Sequence, residues 1–287
     1  MTGPDGAIPV ARRTLLVTGC SSGIGHHAAH GLGQRGWRVL ATCRKREDCE
    51  RLRAEGLESF PLDLADPTSI EAGFGRAMER TGGRLDALFN NGAYAMPGAV
   101  EDVPVEAMRA IFETNFFGWH DLTRRALRVM RGQAQGGRVV FNSSVLGFTG
   151  LRLRAPYVST KFALEGYADV LRLELMDSPI RVILLEPGPV TSRIRQNARE
   201  HYERWIDRDS PVWGAFYRDT LEPRLYDDSG TKDRFELGPE ATTAKLIHAL
   251  ESSAPRDRYY VTTPTYMAAY LKRLLPGRLM DRLLMQG

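Results

Sequence analysis

Residues 14–25 read Thr14-Leu15-Leu16-Val17-Thr18-Gly19-Cys20-Ser21-Ser22-Gly23-Ile24-Gly25. The first five residues form a brief apolar run that glycine ends, which is typical of a short buried strand. The residues after Gly25 predict a helix, although glycines weaken it. A strand, a glycine-rich turn and a helix favour a dinucleotide site, because free N–H groups at a helix start bind a pyrophosphate. The alternative is an ordinary glycine-rich loop.

A tyrosine and a lysine four residues apart, Tyr157 and Lys161, supply the second signal. On a helix these two positions share a face. An ammonium close to a phenol lowers the pKa of the tyrosine from its usual ~10, so the phenol can exchange protons near neutral pH. Ser144 precedes the tyrosine by 13 residues. This spacing predicts acid–base chemistry.

Predicted strands and helices alternate along the chain. The strands span 14–18, 37–43, 58–62, 85–89, 137–142 and 180–185, and the helices span 24–35, 46–55, 67–80, 104–131 and 156–177. This alternation predicts an α/β fold, a single-domain, doubly wound parallel sheet of the Rossmann-like type. Ligands of such sheets bind beyond the carboxyl ends of the strands. Five residues are therefore expected to meet at one edge: Gly19, Asp63, Asn90, Ser144 and Pro187.

These motifs together resemble the short-chain dehydrogenases/reductases. Besides the glycine run and Tyr157-x-x-x-Lys161, four segments match in the family's order: Pro61-Leu62-Asp63-Leu64, Asn90-Asn91-Gly92-Ala93, Asn115 in its Thr-Asn-Phe context, and Pro187-Gly188-Pro189-Val190-Thr191-Ser192. Two departures stand out. The family usually has Asn-Asn-Ala-Gly at residues 90–93 and a threonine at Ser192. Since small residues and a hydroxyl are kept, we expect little effect.

The resemblance implies four catalytic residues: Asn115, Ser144, Tyr157 and Lys161. In the family the tyrosine exchanges a proton with the substrate oxygen while hydride moves at the nicotinamide. The lysine lowers the tyrosine pKa and binds the nicotinamide ribose, the serine supports the substrate oxygen, and the asparagine anchors a relay water. The alternatives are that Asn115 interrupts a helix and that Ser144 is a strand-end hydrogen bonder. The implied cofactor-binding residues are Thr18, Gly19, Ser21, Ser22, Gly23, Ile24, Gly25, Arg44, Asp63, Leu64, Asn91, Gly92, Ala93, Tyr157, Lys161, Pro187, Gly188, Val190 and Ser192.

The end of the second predicted strand indicates which nicotinamide cofactor is used. An acid at that position binds the ribose 2′-hydroxyl of NAD. Here the sequence is Cys43-Arg44-Lys45-Arg46, and no carboxylate comes before Glu47. Because a guanidinium can bind a 2′-phosphate through two hydrogen bonds, we predict NADP(H). A solvated basic helix start, and with it a preference for NAD(H), is the alternative.

Composition excludes several classes of protein. Hydrophobic residues make up 43% and charged residues 26%, as in a soluble globular protein. No uninterrupted apolar run approaches the ~18 residues of a membrane span. Residues 1–13 lack the apolar core of a signal peptide, so we predict a flexible tail before one domain over 14–287, in the cytoplasm. A net charge of +4 is too small to predict nucleic-acid binding.

Cysteines and histidines give no metal motif. Cys20, Cys43 and Cys49 are an odd set that suits a reducing compartment. His26 and His30 have helical spacing, but no carboxylate or cysteine cluster accompanies them in the sequence. We therefore predict no metal site.

Aromatic residues are concentrated in the segment 192–238, which in the family forms a mobile substrate lid. They are Tyr202, Trp205, Trp213, Phe216, Tyr217, Tyr226 and Phe235. With Tyr94, Met96, Leu146, Phe148 and Leu151 they predict a pocket for a bulky apolar secondary alcohol or ketone. The alternative is that most of them anchor the segment to the core. The runs 159–166 and 186–190 resemble the branch with 17β-hydroxysteroid and retinol dehydrogenases.

Partners are predicted from the long helices and the C-terminus. In the family the helices 104–131 and 156–177 form the subunit interface, which implies a homodimer or homotetramer. Residues 258–263 predict a last strand, and the basic, amphipathic run 267–285 either packs on the protein or touches a membrane surface weakly. Two rival functions are an NADP(H)-sensing regulator without turnover and a sugar-nucleotide epimerase. The regulator class tends to lose Tyr157 or Lys161, and the epimerase class has a different glycine spacing.

Overall fold

The computed structural model describes residues 13–285, which form a seven-stranded parallel sheet with helices on both faces. The strand order is β3-β2-β1-β4-β5-β6-β7, and every neighbouring pair is parallel. The strands are β1 Thr14–Val17, β2 Arg38–Cys43, β3 Glu58–Pro61, β4 Ala87–Asn90, β5 Gly137–Asn142, β6 Ile180–Glu186 and β7 Arg258–Tyr260. The predicted Rossmann-like α/β fold is confirmed. The predicted tail lies outside the described residues except for Arg13.

Twelve helices accompany the sheet within the described residues. They are α1 Gly23–Gln34, α2 Arg46–Ala54, α3 Pro67–Thr81, α4 Val105–Phe112, α5 Gly118–Arg131, α6 Ala155–Glu174, α7 Ile194–Trp205, α8 Gly214–Phe216, α9 Glu222–Leu225, α10 Pro239–Glu251, α11 Thr263–Leu274 and α12 Gly277–Met285. None of the helices over residues 13–285 combines the length and apolarity needed to cross a bilayer.

Each face of the sheet buries its own apolar core. Side chains alternate along a strand, so Leu16 of β1 packs into one core with Trp119, while Leu15 and Val17 pack into the other. Both faces are covered, which explains why the strands read as continuous apolar runs. The order of the strands reverses between β1 and β4, because the chain adds β2 and β3 on one side of β1 and β4 to β7 on the other. Loops diverge at such a point and leave a ligand cleft at the carboxyl edge.

The predicted long helix 104–131 is interrupted. A π-helical turn at Glu113–Phe117 joins α4 to α5, and it buries Asn115 completely. Such turns are rare and occur frequently at functional sites. The sequence prediction of one continuous helix was wrong at this point, because a single inserted residue leaves the apolar periodicity on either side intact.

Helix α10 was not predicted, and it packs along α1. His27 Nδ1 lies 2.8 Å from Thr243 Oγ1 across this contact. The predicted last strand is also shorter, since α11 begins at Thr263 directly after β7. The remaining boundaries differ from the prediction by up to three residues at helix and strand ends, where one more hydrogen bond decides the assignment.

Candidate active site

The glycine-rich turn between β1 and α1 has no room for side chains. Gly19 and Gly23 have φ of +69° and +58°, a region that favours glycine. A Cβ on Gly25 would lie 2.5 Å from Asn91 Nδ2 and would also meet the Gly19 carbonyl oxygen. The first turn of α1 holds no acidic residue, and its N-cap Ser22 makes no side-chain cap. Its N–H groups are therefore available to an anion.

Thr18 and Asn91 join this turn to the loop after β4. Thr18 Oγ1 accepts hydrogen bonds from the Asn91 and Gly92 backbone N–H groups at 2.9 and 3.0 Å. In return, Asn91 Nδ2 donates to the Thr18 and Gly19 carbonyl oxygens at 2.9 and 3.2 Å. Asn91 Oδ1 accepts from Asn142 Nδ2 at 2.8 Å, which ties β5 to the same edge. The two loops thus form one rigid unit.

The Gly92-Ala93 departure from the family pattern fits this packing. A Cβ on Gly92 would lie 3.0 Å from Leu64 Cδ1 and 3.2 Å from Gly19 N. Glycine at this position lets the buried Leu64 fill the space beside the turn. The neighbouring Asp63 shapes its own loop, because its Oδ1 accepts the Ala65 N–H at 3.0 Å.

The turn and the charge beside it fit a dinucleotide. Arg44 directly follows β2, is exposed, and forms no ion pair with any residue between 13 and 285. Burial raises the pKa of Tyr94 to about 12, and the charges of Arg204 and Arg44 oppose that shift. Arg44 therefore lies close to the cleft and keeps its donors free. The backbone cradle could hold a pyrophosphate, and Arg44 could hold a 2′-phosphate.

The loop after β6 closes the other end of the cleft. Pro187 accepts a hydrogen bond from the Val145 N–H at 2.8 Å. Gly188 packs against Thr262 and Thr265 so closely that a Cβ would overlap their hydroxyl groups. A Cβ on Gly23 would lie 3.1 Å from Ser192 Cβ, so this loop also approaches the glycine-rich turn.

Tyr157 lies in the first turn of α6 and is 9% exposed. Burial raises the pKa of its phenol to about 12, and a hydrogen bond with Ser144 opposes that shift. Ser144 begins a short 3-10 turn directly after β5, and its Oγ also accepts the Leu146 N–H at 3.1 Å. The structure thus brings the predicted serine and tyrosine together.

Lys161 is buried one helical turn after Tyr157. Its Nζ donates to the Asn142 carbonyl oxygen at 2.7 Å and lies 4.4 Å from the ring centroid of Trp119. Burial lowers the pKa of this ammonium to about 7, and the charge of Glu165 opposes the shift. Trp119 itself donates from Nε1 to the Gly92 carbonyl oxygen at 2.7 Å. The indole therefore connects the lysine to the cofactor-side loop, a role that the sequence analysis missed.

The expected lowering of the tyrosine pKa by the lysine is absent from this structure. Lys161 Nζ lies 5.4 Å from the Tyr157 ring centroid, yet burial dominates and raises the pKa of Tyr157. Burial moves the two groups in opposite directions, since it disfavours the phenolate and the ammonium alike. The expectation from helical spacing omitted this cost of burial.

Asn115 holds two segments together from its π-helical turn. Its Oδ1 accepts the Tyr94 N–H at 3.1 Å, and its Nδ2 donates to the Tyr94 carbonyl oxygen at 2.9 Å. A longer contact of 3.4 Å reaches Thr160 Oγ1 on α6, next to Lys161. Asn115 is thus placed between the loop after β4 and the helix that carries Tyr157.

A buried acidic network lies behind the site. Ser143 donates to Glu165, and Arg258 binds both Glu165 and Glu186, the latter at 2.7 Å. Burial and the neighbouring Glu165 raise the pKa of Glu186 to about 8, although Arg258 opposes them. Because Ser143 is bound to Glu165, Ser144 is the serine free to face Tyr157. Arg258 lies 93 residues from Glu165 and 72 from Glu186 in the sequence, so these contacts leave no local sequence signal.

The aromatic residues of segment 192–238 divide into two groups. Tyr202 and Tyr217 are completely buried and bond Glu222 and Asp102, so they anchor the segment. Trp205 instead packs with Tyr94 and Leu146 around the cluster that contains Tyr157 and Met96. His201 stacks on Tyr94 at a ring distance of 3.7 Å. The anchoring alternative therefore describes Tyr202 and Tyr217, while a substrate-pocket role for Trp205 stays a prediction.

A carboxylate joins the histidine pair on α1, contrary to the expectation from sequence. Glu55 Oε2 lies 2.7 Å from His26 Nε2 and 2.8 Å from His30 Nε2. Glu55 follows α2, so only the fold brings it to the pair. The three cysteines are free and buried, and burial raises the pKa of the Cys20 and Cys43 thiols.

Comparison with known proteins agrees with this geometry. Residues 13–203 match the family described as short chain dehydrogenase. The chain is 38% identical to the uncharacterized oxidoreductase YbbO of Escherichia coli strain K12, over 96% of this chain and 95% of that protein. It is 31% identical to rat 17-beta-hydroxysteroid dehydrogenase type 6, over 94% of this chain and 87% of the relative.

Two further matches concern the cofactor and the fold. The NADPH-dependent 3-dehydrocapnine reductase of Ornithobacterium rhinotracheale is 29% identical, over 94% of this chain and 95% of that enzyme. A short-chain dehydrogenase structure from Streptomyces avermitilis superposes with a TM-score of 0.75 at 26% identity, over 91% of this chain and 93% of that one. The chain belongs to the short-chain dehydrogenase/reductase family and is an oxidoreductase.

Proposed function

We propose that this short-chain dehydrogenase/reductase uses NADP(H) to interconvert a bulky apolar secondary alcohol and its ketone, with Tyr157 as general acid and base. One observation carries the proposal. The Tyr157 phenol lies beside Ser144, which opposes the rise in its pKa, and one helical turn from Lys161, at the sheet edge where the glycine-rich turn opens. When bound, the nicotinamide supplies or accepts the hydride.

The residues of the chain have separate tasks in this proposal. Ser144 donates a hydrogen bond to the substrate oxygen, where negative charge develops in the reduction. A phenol with a pKa of about 12 holds its proton at neutral pH, so Tyr157 is ready to donate it. Lys161 Nζ, fixed on the Asn142 carbonyl oxygen, exchanges its own proton near pH 7. Asn115 keeps the loop at Tyr94 in register with α6.

NADP(H) is favoured over NAD(H) by the charge after β2. Arg44 has no acidic partner among residues 13–285, and a carboxylate in its place would repel a 2′-phosphate. The relative from Ornithobacterium rhinotracheale, whose name states NADPH dependence, supports the same assignment. NAD(H) use is the alternative, and a comparison of kcat/KM for both cofactors separates the two.

An apolar substrate is supported by the cluster around Tyr157. Trp205, Tyr94 and Leu146 are partly buried there and present apolar surface beside the phenol. The segment 192–238 serves as the substrate lid in this proposal, hinged on the anchors Tyr202 and Tyr217. The relationship to a 17-beta-hydroxysteroid dehydrogenase fits a substrate of this size.

The proposed assembly is a homodimer or homotetramer in the cytoplasm. Val170 and Leu173 of α6, with Met176 just after the helix, are between 55% and 68% exposed. A face of this kind suits contact with a second copy. Weak contact of α11 and α12 with a membrane surface stays a prediction from their basic, amphipathic sequence.

Replacement of Tyr157 by phenylalanine tests the catalytic role. We expect kcat to fall by about 10²–10⁴, because the proton donor is lost while the ring is kept. Tyr167→Phe, on the same helix, is the matched control and should keep normal kcat. The assay follows the absorbance of the reduced nicotinamide with a panel of ketones and alcohols.

Two results would contradict the proposal. Full turnover by Tyr157→Phe would exclude the general acid and base role. A wild-type protein that binds NADP(H) with a measurable Kd but reduces and oxidises no member of the panel would instead favour the sensing regulator.

A further inference from the structure

Three arginines come together beside the first turn of α6. Arg154 directly precedes this helix, three residues before Tyr157, while Arg195 lies in the first turn of α7 and Arg224 in α9. Burial lowers the pKa of Arg154 to about 10, and the charges of Arg224 and Arg195 lower it further in the same direction. The group is still cationic at neutral pH. The side chain of the preceding Leu153 packs in one buried cluster with Ala198 of α7 and Leu225 of α9, so Arg154 lies beside the two helices that carry Arg195 and Arg224.

Acidic side chains accompany only two of these arginines. Arg195 Nη2 and Arg224 Nη2 both donate to Asp233 Oδ2, at 2.7 and 3.0 Å. Two guanidinium groups thus share one carboxylate oxygen. Glu236 accepts the Asp233 N–H at 2.9 Å. The exposed Asp227 also lies near Arg195: hydrogen bonds from Ser229 lower the pKa of Asp227 most, and the charge of Arg195 lowers it further.

Arg154 has no acidic partner within the described part of the chain. Its one hydrogen bond runs from Nη1 to the Leu153 carbonyl oxygen at 3.2 Å, and no carboxylate lies within ion-pair distance. A guanidinium has five N–H donors in a fork that matches planar or tetrahedral anions. Holding it partly buried among like charges costs free energy unless an anion binds there.

The backbone keeps Arg154 in this position. Leu153 has φ of +59°, in the left-handed region, which is strained for a residue other than glycine. Its side chain is buried in the apolar cluster that contains Tyr202, and its carbonyl oxygen accepts the Gly98 N–H at 3.0 Å. Packing thus maintains the strained backbone of Leu153, and that backbone sets the position of Arg154.

We propose that Arg154, with Arg195 and Arg224 beside it, binds an anionic group on an otherwise apolar substrate whose reacting oxygen meets Tyr157. A carboxylate, a sulfonate or a phosphate has the required chemistry. The inference rests on the proposed function, since it names the class of ketone that this site reduces. The cofactor phosphates are assigned to the turn at α1 and to Arg44, which lie beyond β1 and β2 and not at the start of α6.

Matched pairs of ketones test the inference. The probes are 5-oxodecanoate and 9-oxodecanoate, each compared with its methyl ester, in the wild type, Arg154→Gln and the control Arg76→Gln on α3. We expect kcat/KM for at least one acid to exceed that of its ester by about tenfold or more. Arg154→Gln should abolish this preference through KM, while the rate with the esters and the Kd for NADP(H) stay unchanged.

A second measurement does not need turnover. Decanoate should raise the Tm of the wild-type complex with NADP(H) more than 1-decanol does, and Arg154→Gln should lose the difference. Equal treatment of acids and esters together with no decanoate-specific shift would overturn the inference. So would a changed Kd for NADP(H) in Arg154→Gln, because the anion would then belong to the cofactor. Decanoate binding without reduction of any ketone would instead overturn the proposed function alone.

Discussion

The cofactor side and the segment 192–238 are held in place by different forces. On the cofactor side, the backbone of the glycine-rich turn packs against the backbone after β4, and Thr18 and Asn91 bond main-chain atoms. The segment is held by side chains instead: an apolar cluster that contains Tyr202 and Tyr217, tyrosine hydroxyls and arginine–carboxylate pairs. The first arrangement admits few residue types. The second admits many, so substrate preference can change while the cofactor cradle stays fixed.

The largest expected effect is that of Gly25→Ala. The new Cβ would lie 2.5 Å from the Asn91 side-chain Nδ2, which is held by the Thr18 and Gly19 carbonyl oxygens, and would overlap the Gly19 carbonyl oxygen of the backbone. We expect the free energy of unfolding to fall by about 4 kcal/mol or more and binding of NADP(H) to be lost. Urea unfolding and fluorescence titration measure the two effects.

Gly230→Ala in the segment is the matched control. Gly230 has φ of +74° but no atom within 4 Å of its missing Cβ. We expect about 1 kcal/mol of destabilisation from backbone strain and an unchanged Kd for NADP(H). Equal losses in both variants would mean that the two regions tolerate side chains alike.

The next effect concerns the pH dependence of stability. Burial lowers the pKa of Lys161 from its ordinary 10.5 to about 7 in the folded protein. Between these values the unfolded chain binds a proton that the folded chain does not, so stability rises as pH increases from about 7 to 10. The full shift corresponds to about 5 kcal/mol, and relaxation around the charge reduces the expected rise to about 2–4 kcal/mol.

The measurement is the difference in unfolding free energy between wild type and Lys161→Met across this pH range. That difference should increase with pH. Lys232→Met, in the exposed part of the segment, should leave the pH profile of the wild type unchanged. A pH-independent difference for Lys161→Met would show that the buried ammonium keeps its ordinary pKa.

The cofactor side was predictable from the sequence because its constraints are local. Gly19, Gly23 and Gly25 are spaced as the turn requires, and apolar runs ended by glycine or asparagine fix where β1 and β4 end. Parallel topology then brings Ser144 and Pro187 to the same edge. These inferences need only the direction of each strand, and the structure confirmed the fold they imply.

Other features depend on contacts between distant residues. Trp119 beneath Lys161, Glu55 between the two histidines and Arg258 on the buried glutamates have no sequence signal, because each partner lies in another element. The effect of burial on the pKa of Tyr157 was also missed, since burial follows from packing. The apolar periodicity does not reveal the π-helical turn at Asn115, because one inserted residue leaves the pattern on either side unchanged.

Reversal of the charge at Arg44 should change cofactor preference. We expect Arg44→Asp to shift the ratio of kcat/KM for NADP(H) over NAD(H) by about 100-fold toward NAD(H), because a carboxylate repels the 2′-phosphate and accepts from the ribose hydroxyls. Arg234→Asp makes the same charge change in the exposed part of the segment and should leave the ratio unchanged. A similar shift in both variants would indicate a long-range charge effect instead of a contact.

The smallest expected effect tests the anchoring of the segment. Tyr217 Oη donates to Asp102 Oδ2 at 2.6 Å and accepts the Ala99 N–H at 2.9 Å. Tyr217→Phe leaves both partners in a buried site with one fewer bond each, so we expect a loss of about 1–2 kcal/mol in unfolding free energy. Tyr226→Phe removes an exposed bond to Glu203 and should cost less than about 0.5 kcal/mol.

The kinetic consequence of the same change distinguishes anchoring from chemistry. A looser segment should raise KM for ketones severalfold, because Trp205 is then less well ordered beside Tyr157, while kcat and the Kd for NADP(H) stay near their wild-type values. A fall in kcat with unchanged KM would contradict this view, since it would make Tyr217 part of the proton-transfer geometry. Loss of NADP(H) binding would contradict the separation of the cofactor side from the segment 192–238, because both would then depend on one set of contacts.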